Sequence, residues 1–363
     1  MRFIAYRDRI GVPSEIQFLR RQYLAFSELT PFWVGRHVMP RATELGGEII
    51  RLGGSGPSGW LARSLFRHLG LAPRVGVALL APVLHAQFAR GAALALPLAR
   101  GLGSRMVVTL HGGDVSKAKN WRRTIQAGRW PAVVAEAARF VCVSHAVAET
   151  AGRHGVPETK LTVLPIGVEL PPELPPAPSR PNYLFVGRFV PKKGIIVLEA
   201  ALRTLRGAGD TTPLLCLGDG PLRPRLEALA REVGGVELPG WLPPEAVQER
   251  MRAASCLLVP SVIAADGDAE GLPSVIPEAM AQGCPVIGSA QGGIAEVIHQ
   301  ERTGLLVAPG DSDRLAQAMR RLVSEPALRH ALAQEAFADA RVHLNARIQS
   351  AALESLLLAE ARC

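Results

Sequence analysis

Along most of the chain, short runs of apolar, often β-branched residues alternate with longer stretches whose apolar positions recur every three or four residues. "RMVVTLHGGD" (105–114) is a run of the first kind, ending at His111. "RFVCVSHAVAETAGRHG" (139–155) shows a whole unit: an apolar run, a turn at Ser144 and a helical pattern. "KLTVLPIGVE" (160–169) closes the first half with another run. In the second half "NYLFVGRFVPKKGIIVLEAALRTL", "PLLCLGDGPLRPRLEALAREVG", "SCLLVPS" and "CPVIGS" repeat the grammar. Such runs suit strands buried on both faces, and helices between them favour parallel pairing. Right-handed crossovers then give an α/β fold of two doubly wound, Rossmann-like domains.

The break between the halves is "ELPPELPPAPSRP" (169–181), with six prolines and no apolar period. It reads as a stiff linker. The predicted division is an N-terminal domain over 1–170, a linker over 171–181, a C-terminal domain over 182–344 and a final helix over 345–363. The tail from residue 311 is helical in pattern, with a break at Ser324-Glu325-Pro326. Its last amphipathic piece is expected to pack back on the N-terminal domain.

A chain of 363 residues exceeds one ordinary core and suits two domains. With 48% hydrophobic and 20% charged residues it has the composition of a globular protein rather than a disordered one. Its five cysteines are scattered without a CxxC pair, and four lie in or beside apolar runs, which predicts buried free thiols and a reducing compartment. "MRFIAYRDRIG" reads as a first strand and not as a signal peptide. The most apolar stretch, residues 75–100, carries His85, Gln87 and Arg90 at its centre and lacks the roughly 18 uninterrupted apolar residues of a spanning helix. A cytoplasmic location is expected, with peripheral contact at the inner face of the cytoplasmic membrane.

Charge is uneven. Residues 1–178 hold 22 Lys and Arg against 11 Asp and Glu, and the remainder 19 against 21. An anionic partner (a phospholipid surface, a pyrophosphate-linked acceptor) would explain this, and so would Arg-rich codon usage. Nucleic acid is not expected, because no recognised binding module accompanies the charge. The basic-aromatic stretches "FLRRQYLAF" (18–26) and "WRRTIQAGRW" (121–130) are either an acceptor or membrane face or ordinary helix surface.

The densest chemistry lies between residues 255 and 289. Strand, loop, helix and strand follow one another through "EGLPSVIPEAMAQG", with Gly283 where a C-terminal cap belongs and Pro277 forcing the helix start back to about Pro273–Ser274. Amides of residues 271–275 would then face outward at the carboxyl edge of the sheet, a position suited to phosphate. Glu270 before that turn and Glu278 beyond it are too far apart to act as an acid/base pair. They can reach opposite ends of an elongated ligand bearing vicinal hydroxyls. Upstream, "GRFVPKKG" (187–194) offers Arg188, Lys192 and Lys193 at another strand end, a fork and point charges for phosphate oxygens.

At these residues the chain resembles the family-4 glycosyltransferases of GT-B fold, whose two Rossmann-like domains face each other across a cleft. "GRFVPKKG" is similar to the family's diphosphate loop and "EGLPSVIPE" to its E-x7-E signature. "GWLPPEAVQERMRAASCLLVPS" and "GGIAEVIHQERTGLLVAPGD" match surrounding segments in order. "PSE" at 13–15 and "ADGDAEG" at 265–271 are similar to bacterial exopolysaccharide and colanic-acid-type transferases. The resemblance implies that Gly187, Arg188 and Lys193 bind the donor diphosphate, with Gly271, Leu272, Pro273 and Ser274 holding sugar and phosphate through their amides. Glu270 would face the hexose hydroxyls and Glu278 the ribose. His111 in "HGGD" would approach the transferred sugar, with Asp114 nearby, and Gly11 would stand in the first loop, where the family usually carries paired glycines. The implied reaction is retaining transfer of a hexose from a UDP- or GDP-sugar to a glycan or polyprenyl-diphosphate-linked acceptor. No cofactor or metal is expected, since Asp266 and Asp268 belong to a different topology from the metal-binding Asp-x-Asp fold. The rivals are a nucleotide-sugar epimerase or hydrolase and a non-catalytic nucleotide-binding protein.

Overall fold

The first half builds a sheet from β1 (Arg2–Tyr6), β3 (Thr30–Gly35), β5 (Glu48–Arg51), β6 (Val83–Gln87), β7 (Arg105–Leu110), β8 (Arg139–Cys142) and β9 (Leu161–Val163). Two short strands, β2 (Arg9–Ile10) and β4 (His37–Val38), pair separately. The second half builds another sheet from β10 (Tyr183–Val186), β11 (Leu214–Leu217), β12 (Val236–Gly240), β13 (Cys256–Val259), β14 (Val286–Ser289) and β15 (Leu305–Val307). The structure is a computed structural model that describes residues 1–54, 56–69, 81–176 and 181–362. Residues 177–180 of the proline-rich stretch, 75–80 of the apolar stretch and Cys363 lie outside the described residues. The chain divides into two compact units, residues 1–167 with the helix Ala346–Arg362, and Val168–Asn345.

Every pairing is parallel, and the spatial orders are β5-β3-β1-β6-β7-β8-β9 and β12-β11-β10-β13-β14-β15. In each sheet the chain starts in the middle, winds outward in one direction, then returns and winds in the other. The reversal falls between β1 and β6 in one unit and between β10 and β13 in the other. At such a point the loops leaving two neighbouring strands diverge and open a crevice at the carboxyl edge.

The strands are apolar because helices cover both faces. In β10, Tyr183 and Phe185 face a cluster with Ile195, Leu198 and Leu202 of the Ile195–Gly207 helix and with Leu315 and Met319 of the Ser312–Ser324 helix. Leu184, between them, faces the opposite cluster with Ile276 and Met280 of the Val275–Ala281 helix. That helix ends as its sequence predicts. Gly283 donates its N–H to Met280 and Cys284 to Ala279, the paired bonds of a glycine-terminated helix end. The four described cysteines, Cys142, Cys216, Cys256 and Cys284, are buried free thiols, as expected. No helix among the described residues is long and apolar enough to cross a membrane.

The helix Ala346–Arg362 buries Leu353 and Leu357 in the cluster of Phe3, Trp33, Val107 and Val141. A less apolar bond fixes its register. The buried carboxylate of Glu354 accepts the backbone N–H groups of Ser27, Glu28 and Leu29, each at 2.8 Å. Those amides precede β3 in a loop that offers them no carbonyl partner. Burial pushes the Glu354 pKa up, but the amides outweigh it and hold it below the usual carboxylate range.

Replacing Glu354 by Ala should therefore cost on the order of 3 kcal/mol, because buried amides lose a charged acceptor. The wild type should also carry a stability increment that is complete above about pH 4.3, the unfolded pKa, and lost as pH falls through the lower folded value. Denaturant titrations of the variant and the wild type from pH 7 to pH 3 check both. An E354A midpoint equal to wild type at pH 7 would show that the bond does not hold the helix.

Candidate active site

At the β10/β13 reversal the two predicted segments meet. Leaving β10, the chain passes Gly187 and the exposed Arg188, whose side chain has no ion-pair partner among the described residues. Backbone bonds from Gly187 N–H to Leu217 and from Phe189 N–H to Asp219 lay this segment along the exit of β11. It then turns through Pro191–Lys193 in a single 3-10 turn that Gly194 closes with φ +70°. A Cβ at Gly194 would lie 1.7 Å from the carbonyl oxygen of Pro260, so no other residue lets the turn dock on the end of β13. Val262 N–H donating to Lys192 completes the seam.

Docking the turn there places both lysines beside Glu270. Lys193 Nζ lies 3.1 Å and Lys192 Nζ 3.5 Å from Glu270 Oε1, and Lys192 Nζ is also 3.2 Å from Asp268 Oδ1. All four side chains are at least four-fifths buried. Burial pushes the Glu270 pKa up, and the two ammonium groups outweigh it and hold it low. Asp268, which the sequence reading weighs only as a metal ligand, is a member of this group. Its N–H bonds to Asp266 Oδ1 at 3.1 Å, and its carboxylate faces Lys192, so the Asp-Gly-Asp stretch closes a turn and balances a lysine.

Beyond Glu270 the chain runs through buried Gly271, half-buried Leu272, buried Pro273 and half-buried Ser274. The helix that follows, Val275–Ala281, is only seven residues long and starts after Ser274. Pro277 sits in its first turn, where a missing N–H is harmless. Glu278 is half-buried in the same helix, one turn and more from Glu270. Arg188, Lys193, Glu270 and the turn before Glu278 thus share the carboxyl edge of one sheet.

The first unit holds the other predicted residues. His111 follows β7, half-buried, with its ring against Phe88 (centroids 4.3 Å apart) and Phe18 (5.1 Å). Asp114 braces it: one carboxylate oxygen accepts the N–H of His111 at 3.0 Å and the other that of Ala89 at 2.9 Å, joining the loops after β6 and β7. Burial pushes the Asp114 pKa up, and those amides offset only part of the shift. Gly11 follows β2 with φ +86°, and a Cβ there would lie 2.5 Å from the backbone of Ala42. Local packing is enough to require that glycine.

Neither basic-aromatic stretch presents an aromatic face. Leu19 and Tyr23 point into the core, Trp130 is buried, and Trp121 stacks on His154 with centroids 3.7 Å apart. Arg20, Arg122 and Arg123 are the solvated cations of these stretches.

Two family models match this chain in tandem: Glycosyltransferase Family 4 over residues 40–170 and Glycosyl transferases group 1 over residues 180–325. The chain is 36% identical over 172 residues to the putative colanic acid biosynthesis glycosyltransferase WcaL of Escherichia coli (strain K12), covering 46% of this chain and 42% of that protein. It is 31% identical over 251 residues to the amylovoran biosynthesis glycosyltransferase AmsK of Erwinia amylovora, covering 66% of this chain and 60% of that one. It thus spans about half the length of these curated relatives. Among solved structures, Anabaena Alr3699/HepE in complex with UDP and glucose superimposes with a TM-score of 0.80 at 16% identity, over 99% of this chain and 100% of that one. Sucrose-phosphate synthase from Thermosynechococcus elongatus gives 0.76 at 24%, over 98% of both. The fold is the GT-B fold of these neighbours, as the sequence predicts.

Removing the ammonium nearest Glu270 tests the charge balance. A Lys193→Met variant should move the Glu270 titration to higher pH, since burial then opposes ionisation with one lysine fewer. Carbon-13 NMR of the glutamate carboxyls reads it directly. An unmoved Glu270 titration would mean that the two side chains are not paired in solution.

Proposed function

Because the chain belongs to the family-4 and group 1 glycosyltransferases, we propose that it moves a hexose from a nucleotide diphosphate sugar to an acceptor hydroxyl, with retention at the anomeric carbon. The acceptor is a lipid-linked or other glycan in exopolysaccharide or cell-surface polysaccharide biosynthesis. The observation that carries this reading is the pairing of Lys193 with Glu270 at the β10/β13 reversal, with the exposed Arg188 on the same loop, within the segment matched by the group 1 model. Its support on the substrate side is that solved relatives hold UDP with glucose and UDP-glucose, and that WcaL and AmsK bear the names of exopolysaccharide glycosyltransferases.

Chemistry of this kind is mostly electrostatic. As the glycosidic bond to phosphate breaks, negative charge grows on the leaving diphosphate. Arg188 offers an unpaired fork to it and Lys193 a point charge already positioned by Glu270. The amides of Gly271 to Ser274 hold sugar and phosphate, Glu270 takes hexose hydroxyls and Glu278 the ribose. His111 meets a hydroxyl of the substrate, held in place by Asp114, and Gly11 lies in the first-domain loop. With the charge supplied by Arg and Lys, no metal is required. A leaving phosphate that takes the acceptor proton on the same face would need no protein nucleophile.

Turnover of UDP- and GDP-hexoses against lipid-linked acceptors tests the proposal. Arg188→Ala should weaken transfer by about 10- to 100-fold, the worth of a charged hydrogen bond. Glu278→Ala should raise the donor Kd, and Glu270→Ala should lower kcat more than it weakens binding. If both glutamate variants kept wild-type kinetics, the site would be misassigned. Donor consumed at full rate without any acceptor would instead point to a hydrolase or epimerase.

A further inference from the structure

Strand β6 is buried at all five positions, yet it reads Val-Leu-His-Ala-Gln, so two polar side chains stand inside the sheet. His85 and Gln87 are both fully buried. Their partners form one directed chain. Gln87 Nε2 lies 2.8 Å from Gln22 Oε1 and 2.9 Å from the Tyr23 hydroxyl, so the amide nitrogen serves both as donor. Tyr23 then donates its own proton to His85 Nδ1 at 2.9 Å, and His85 Nε2–H donates to Thr109 Oγ1 at 2.6 Å. With its nitrogen committed, Gln87 turns its carbonyl oxygen to His111 Nε2, 2.9 Å away. In this orientation of the amide the carbonyl accepts, which selects the tautomer with the proton on His111 Nε2. The other ring nitrogen, Nδ1, is left as a bare lone pair with no partner among the described residues.

We propose that Gln87 is a positioning residue for His111: through the buried chain of Gln22, Tyr23, His85 and Thr109 it fixes the tautomer that makes His111 Nδ1 an acceptor for a substrate hydroxyl. This deepens the proposed function and rests on its assignment of His111 to the substrate. His111 then acts neither as acid nor as base. It sets the orientation of one hydroxyl and rejects a group that cannot donate a hydrogen bond.

The charges around the ring keep it in that form. Arg7 lies over Phe88, 4.3 Å from the ring centroid, and is paired with Glu15. Asp114 is tied to two amides, and His85 and Tyr23 complete the titratable groups nearby. Burial first, then Arg7 and His85, push the His111 pKa down to about 3, so the imidazole is neutral throughout the working range. Dependence of transfer on pH between 5.5 and 8 should therefore carry no limb from His111.

Nitrogen-15 NMR of the histidine-labelled full chain tests this, with the His111 signals identified by their loss in His111→Ala. In the wild type His111 should show a protonated Nε2 and a bare Nδ1 from pH 5.5 to 8. In Gln87→Met the two nitrogens should average toward a mixture of tautomers, with kcat/KM down about tenfold, one neutral hydrogen bond. Gln87→Glu, whose carboxylate still accepts from Nε2–H, should restore the tautomer and raise the His111 pKa, adding an acid limb to the rate profile. A wild-type spectrum with Nδ1 protonated, or a Gln87→Met spectrum unchanged at His111, overturns the proposal and leaves the substrate contact standing. Undiminished transfer by His111→Ala removes the substrate contact, and the proposal with it.

Discussion

Parallel strands return to their own sheet only by crossovers, and right-handed crossovers run to opposite faces when the winding direction changes. Between β10 and β13 this constraint separates the loops that follow two adjacent strands, and nothing in the sheet itself fills the gap. The lysine turn fills one side of it and the Glu270 loop the other. The contact between Gly194 and Pro260 draws them to charge-pairing distance. Arg188 stays solvated because it precedes that contact, on the part of the loop that runs along β11. Without the reversal, the cations and the carboxylate would emerge from the same chain yet on unrelated edges.

Much of this could be read from the sequence, and the reasons are local. Apolar runs bounded by Gly and Pro mark parallel strands because a strand covered on both faces favours apolar residues at successive positions. Gly283 and Pro277 mark the ends of their helix through backbone geometry alone. What escaped depends on pairing across distance. That Lys192 divides itself between Asp268 and Glu270 follows from β10 lying beside β13, with more than seventy residues between the two segments. Glu354 reads as a polar position on an amphipathic helix. Only the loop before β3, some 325 residues away, reveals it as an acceptor for three amides. His85 and Gln87 first appear as interruptions that argue against a membrane span, whereas two polar residues on one buried strand also signal a polar network.

The basic-aromatic stretches show how sequence adjacency differs from adjacency on a helix. Arginines and aromatics that are neighbours in sequence are not neighbours on a helix, where each residue turns by about 100°. Arg20 faces solvent while Leu19 and Tyr23 face the sheet, and Tyr23 is thereby free to join the chain that reaches His85 and Gln87. A segment that suggested an outer surface is part of the inner support of His111.

The four buried thiols mark the two units unequally, Cys142 in the first and Cys216, Cys256 and Cys284 in the second. Burial raises all of them, Cys142 and Cys284 up to about 12, so none is a thiolate at neutral pH while its sheet is closed. A soluble alkylating reagent therefore acts as a chemical clock, consuming each sulfur only as fast as its own strand is released. Peptide mapping of the adducts would time the opening of one lobe separately from the other, with no label added to the protein.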